Sequence, residues 1–208
     1  MAYRLVIFDF DGTLADSLGW FLDIFDSMAD RYGFRRLERS DLERLRGLDA
    51  RQLLKLHQVP TWKLPMMAGH VRKLQSQELH KISLFPDIVE TVLHLSTHGV
   101  KIAIVTSNAR GNVESVLGEA LASRIDHYAC GSSLFGKAAK FRAVAKALGI
   151  APSEVLAIGD EIRDIEAARA AGFAAGAVTW GYATREGLER LEPQHIFDCP
   201  DDIVHLFA

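Results

Sequence analysis

The chain has 208 residues, 49% of them hydrophobic, and a formal net charge of -3, so it can bury a full core and a second small module without any broad basic field for nucleic acid. Cys130 and Cys199 lie far apart without a metal-ligand spacing, so neither a disulfide framework nor a zinc site is expected. No apolar run reaches the roughly 18 to 20 residues of a membrane span, and the first strand begins too early to leave room for a cleaved signal, so a cytoplasmic protein is expected.

In chain order, Leu5-Val6-Ile7-Phe8 is a short apolar run that reads as a strand buried on both faces. It delivers Asp9 and Asp11 into a glycine turn at Gly12. Two residues apart on extended chain, the two carboxylates point the same way, into the crevice where open α/β sheets hold ligands. Their mutual repulsion asks for a divalent cation with oxygen ligands, or for work as an acid and base. Asp16-Ser17 is read as a helix cap, with Leu18, Phe21, Leu22, Phe25 and Met28 at helical spacing behind it and Gly33 as the stop. From Ser40 the pattern stays helical through Leu56, is broken by Pro60 and Pro65, and resumes from His70 to His80. No strand signal interrupts this stretch.

Beyond the linker Leu84-Phe85-Pro86-Asp87 the rhythm becomes regular. Helices are expected over about Asp87 to His98, Asn112 to Ala122, Lys137 to Leu148 and Ile162 to Ala171. Strands are expected at Lys101 to Val105, at Ala174 to Thr179, more weakly at His127 to Cys130, and at Val155 to Ile158. Such alternation predicts an α/β fold, a doubly wound parallel sheet with helices on both faces. The helical stretch before it would be an inserted cap domain spanning 15–83, the core comprising 1–14 and 84–208.

Three further stations carry candidate chemistry. Thr106-Ser107-Asn108 follows an apolar strand, where hydroxyls and backbone amides could bind phosphoryl oxygens. Lys137 and Lys140 open a helix, and either ammonium would offset charge on an attacking carboxylate and a phosphoryl group. Gly159-Asp160-Glu161-Ile162-Arg163-Asp164 again runs an apolar strand into acids, more of them than a helix dipole needs at its start.

The string from Leu5 to Leu14 resembles the first signature of the haloacid dehalogenase-like hydrolases, and the other three stations follow in that family's order. The resemblance covers essentially the whole chain, and the helical insert is similar to the cap of the phosphoglycolate phosphatase-like branch. It implies a Mg2+-dependent phosphatase acting on small phosphomonoesters, of the phosphoglycolate or sugar-phosphate type, through an aspartyl-phosphate. Asp9 would be the nucleophile and Asp11 the general acid and base. Thr106 would contact the phosphate, with Ser107 and Asn108 as secondary candidates. Lys137 is preferred to Lys140 because it lies 23 residues before Asp160, a spacing like the family's, and because Gly136 gives it a loop position. Asp160 would join Asp9 and the backbone carbonyl of Asp11 around Mg2+, with Asp164 orienting a water on the ion. Glu161 is an extra acid, a ligand or merely solvated. Asp87 departs from the glycine that many such linkers carry after proline.

The expected partner is a small phosphorylated metabolite, with neither nucleic acid nor membrane involved; oligomeric state is not legible. A sugar-phosphate mutase is the rival within enzymes, and release of inorganic phosphate separates the two. A receiver-like phospho-aspartate switch is the non-enzymatic rival, although receivers lack a helical insert after the first strand. Trp62, Met66 and Met67 are read as packing in preference to lining a substrate entrance, His70, His80 and Arg72-Lys73 as a solvated face, and Trp180-Gly181-Tyr182 as bordering the site or packing.

Overall fold

A computed structural model describes residues 3–131 and 136–208 of the chain. Its first strand, β1 (Leu5–Phe8), is buried at every position, as a strand covered on both faces must be. A two-residue strand, β2 (Ala15–Asp16), leads into α1 (Leu18–Tyr32), α2 (Leu42–Arg46), α3 (Ala50–Leu56) and α4 (Leu64–Gln77). The chain returns through β3 (Ser83–Leu84), which pairs antiparallel with β2. Beyond it come α5 (Ile88–Thr97), β4 (Lys101–Val105), α6 (Arg110–Ala122), β5 (His127–Ala129), α7 (Lys137–Leu148) and β6 (Val155–Gly159). The chain closes with α8 (Ile162–Ala171), β7 (Ala174–Val178), α9 (Arg185–Glu189), β8 (His195–Phe197) and α10 (Pro200–Leu206).

The main sheet has six strands in the order β5-β4-β1-β6-β7-β8, every pairing parallel. Strand alternation divides the core into two apolar layers. Val6, Phe8, Ile102, Ile104, Leu156 and Ile158 face α5, α6 and α10, while Leu5, Ile7, Ala103, Val105, Val155 and Ala157 face α7 and α8. Because β1 lies between β4 and β6, the chain reverses its winding there, and the carboxyl ends of those three strands open into the crevice that such a switch creates. Among the described residues no helix is long and apolar enough to cross a membrane.

Several local expectations change. Pro65 lies in the first turn of α4, where its missing N–H is no loss, so it opens that helix and does not break one. Ser17 makes no side-chain cap; its hydroxyl shares a 2.9 Å hydrogen bond with the Tyr182 hydroxyl. The ribbon β2–β3 and the last three elements carried too short an apolar pattern to be read in advance. Asp87 has φ of 62°, a left-handed conformation that explains why glycine is common at this place.

Candidate active site

Asp9, Thr106 and Asp160 each follow the last residue of a central strand, β1, β4 and β6 respectively, so the sheet brings the stations together. Asp9 is buried, with Oδ1 accepting from the Phe10 N–H at 2.8 Å and Oδ2 lying 2.9 Å from Lys137 Nζ. The same ammonium donates to Asp164 Oδ1 at 2.6 Å, so Lys137, not Lys140, bridges two of the predicted acids. Burial raises Asp9 above the usual carboxylate range against the pull of Lys137. For Lys137, burial works against the charge, but Asp164 and Asp9 outweigh it and the ammonium is held above its ordinary value.

Asp160 is fully buried and has no basic partner among the described residues. Its Oδ1 accepts from the Thr13 hydroxyl at 2.7 Å and its Oδ2 from the Tyr182 N–H at 2.8 Å, both neutral donors. Burial, with the Glu161 charge next, pushes it well above the carboxylate range. Asp9, Asp160 and Asp164 can place one oxygen each within 4.8 Å of one another. A buried, oxygen-only donor set, one of whose members has no counter-charge, fits a hard divalent cation such as Mg2+. Glu161 lies outside this group; Arg163 holds its carboxylate, so it is neither one of the clustered acids nor merely solvated.

Each carboxylate oxygen of Asp11 accepts from a side-chain amide. Gln75 Nε2 on α4 donates to Oδ1 at 2.9 Å, and Asn108 Nδ2 donates to Oδ2 at 3.0 Å. Burial raises its carboxyl above the usual range, with the Gln75 hydrogen bond opposing. Thr106 is buried and its Oγ1 accepts from the Asn108 N–H at 3.1 Å, which leaves the hydroxyl proton to give. The Asn108 side chain is fixed by Asp11, the Ala109 N–H and Asn112. Ser107 is half-buried, and its carbonyl accepts from Arg72 at 3.2 Å.

The helical insert contacts this site at more points than its sequence announced. Arg72 bonds the core and is not the solvated face expected of it, since its own carbonyl also accepts from Asn112. Arg46 Nε and Nη2 donate to the carbonyls of Tyr182 and Gly181 at 3.0 and 2.9 Å. Trp180-Gly181-Tyr182 therefore borders the site. Gln75 and Arg46 were missed because polar residues on helices of an insert carry no pattern that names a partner distant in sequence. Trp62 and Met66 are not packed as expected: they are 76% and 55% exposed. Met67, by contrast, lines a cavity of about 800 Å³ that reaches from Asp11 and Asn108 into the insert, between Phe21, Phe25, Leu53 and Leu54. As a sealed void, 800 Å³ would cost roughly 20 kcal/mol, more than an ordinary domain's whole stability, so this is space for solvent or ligand.

Parallel strands that carry Asp9, Thr106 and Asp160 just beyond their carboxyl ends, with Lys137 brought in by the start of α7, form a buried, aspartate-rich centre. Residues 6–178 match the haloacid dehalogenase-like hydrolase family, and the chain belongs to it. Within the family it falls on the phosphoglycolate phosphatase-like branch. It is 30% identical over 202 residues to a phosphoglycolate phosphatase of Synechococcus elongatus, covering 97% of this chain and 95% of that one. A phosphoglycolate phosphatase of Nitrosococcus oceani is 27% identical over 99% of this chain and 96% of its own length. Among solved structures, a putative phosphoglycolate phosphatase from Lactobacillus plantarum superposes with a TM-score of 0.84, at 21% identity, over 99% of this chain and 100% of that one. At that identity the match speaks for the fold.

Proposed function

We propose that this enzyme is a Mg2+-dependent phosphatase that hydrolyses small phosphomonoesters through an aspartyl-phosphate on Asp9, with phosphoglycolate and sugar phosphates the first substrates to test. The observation that carries the reading is the triangle of Asp9, Lys137 and Asp164 beside a buried Asp160 that lacks a counter-charge. Asp9, the Asp11 backbone carbonyl and Asp160 would hold the ion, supported by Asp164. Bound there, the ion would neutralise charge on the carboxylates and on the phosphoryl oxygens.

Asp9 attacks phosphorus with an oxygen of a carboxylate that the Phe10 N–H and Lys137 hold in one orientation. Lys137 lowers the repulsion between the attacking and the attacked anion. Thr106 donates its hydroxyl to a phosphoryl oxygen, with Ser107 contributing backbone or hydroxyl donors beside it. Asp11 protonates the leaving oxygen and then takes a proton from the water that cleaves the acyl phosphate, its carboxyl aimed by Gln75 and Asn108. The insert acts as a cap that excludes bulk water.

Phosphate release from a panel of small phosphoesters, with and without Mg2+, tests the reading. Asp9→Asn is expected to abolish release while circular dichroism and thermal melting stay close to wild type, because the amide fills the same space. Turnover at the normal rate by that variant would refute the nucleophile assignment. Stoichiometric release of inorganic phosphate also distinguishes hydrolysis from a mutase.

A further inference from the structure

The alcohol half of a phosphomonoester must leave Asp11 in the direction of the insert, and there the cavity takes over. We infer that the substrate's leaving group is an extended, largely apolar alcohol seated between the insert's helices, with its ester oxygen at Asp11. This rests on the phosphatase reading above and narrows its substrate class.

Three observations carry it. The cavity holds about 800 Å³, within the range that buries a ligand of some tens of atoms and far beyond what a two-carbon acid fills. Its walls are apolar because α3 has no fully buried residue and α4 buries only Gln75: their leucine and methionine side chains, Leu53, Leu54 and Met67 among them, border open space. The three guanidinium groups in the lining are turned to structural partners, Arg46 to Gly181, Tyr182 and Glu43, Arg72 to the Ser107 carbonyl, and Arg163 to the Glu161 carboxylate. Finally, the described residues include three buried side-chain polar atoms without a partner, and two of them, His57 Nε2 and Arg163 Nε, belong to residues lining this cavity. The His57 ring gives its Nδ1 proton to the Arg35 carbonyl at 2.9 Å, and its buried Nε2 is left without a partner in the wall beside the cavity.

The test is steady-state phosphate release, with Mg2+, from methyl, butyl, hexyl and octyl phosphate beside phosphoglycolate. The expected result is a kcat/KM that rises about two- to fourfold per methylene until the cavity is filled, and that exceeds the value for phosphoglycolate. Leu54→Trp, which takes up part of the space between the insert's helices, is expected to lower the hexyl-to-methyl ratio severalfold. Calorimetry with hexylphosphonate and methylphosphonate gives a readout that needs neither turnover nor a variant. A flat or falling ester series, or equal binding of the two phosphonates, overturns the inference even if phosphoglycolate is hydrolysed well. Tighter binding of hexylphosphonate with no phosphate released from any ester upholds the apolar pocket and instead defeats the phosphatase reading.

Discussion

Asp160 has little freedom because glycines enclose it. A Cβ on Gly181 would fall 2.2 Å from Asp160 Cβ and 2.4 Å from the Gly12 carbonyl, and one on Gly12 would fall 2.2 Å from Asp160 Oδ2. Gly12 is also left-handed, with φ of 80°. The Gly181 contacts are with backbone and with the base of a side chain, so relief requires main-chain movement. Gly181→Ala is therefore expected to destabilise the protein by about 1–3 kcal/mol, seen as a lower Tm, and to weaken Mg2+ binding in calorimetry by displacing Asp160. An unchanged Mg2+ affinity would show that Asp160 lies outside the metal site. At this scale the acids were legible in the sequence, since Asp9 and Asp11 follow one apolar strand and Asp160 and Asp164 another. Thr13 and Arg163 were not assigned parts, and Gly181 and Tyr182 were read only as bordering the site or packing, because their roles depend on which strand ends become neighbours. Asp87 is intermediate: its departure from glycine was visible, and the positive φ supplied the reason.

Individual elements divide the work between a sheet and an insert. Strands β1, β4 and β6 fix the acids and Thr106, and α7 brings Lys137 with its first residue. The insert reaches back with α2 and α4, whose Arg46, Arg72 and Gln75 bond the loops after β7, β4 and β1. Arg46 is the most consequential of these, because the loop that it holds also supplies the N–H on Asp160. Charged donors to buried carbonyls contribute on the order of 1.5–3 kcal/mol each. Arg46→Ala is expected to lower kcat/KM at least tenfold, with faster amide hydrogen exchange across α2 and α3 and little change in the strands. Uniform protection in the variant would show that Arg46 does not hold the insert down. The core strands and helices were predictable from period alone, whereas α9, β8 and α10 are short enough for their patterns to be ambiguous.

For the molecule as a whole, the buried acids tie stability to pH and to metal. Asp9 and Asp160 have native pKa values above the usual carboxylate range, so over that interval the folded, metal-free chain binds protons that the unfolded chain has released. Their contribution is present at low pH and is lost as pH rises through the raised values. A divalent ion binds the ionised form and takes the place of those protons. The rise in Tm on adding saturating Mg2+ is therefore expected to be larger near pH 7.5 than near pH 5, as measured by differential scanning calorimetry. Equal shifts at the two pH values would mean that the ion binds elsewhere.

The short ribbon in which Ala15 pairs with Leu84 and Asp16 with Ser83 has a consequence for how this architecture diversifies. The polypeptide departs from the sheet and rejoins it at adjacent points, so the intervening helices can be lengthened, shortened or exchanged wholesale while strand registry stays as it is. The helical roof can thus change while the floor that carries Asp9, Thr106 and Asp160 keeps its geometry.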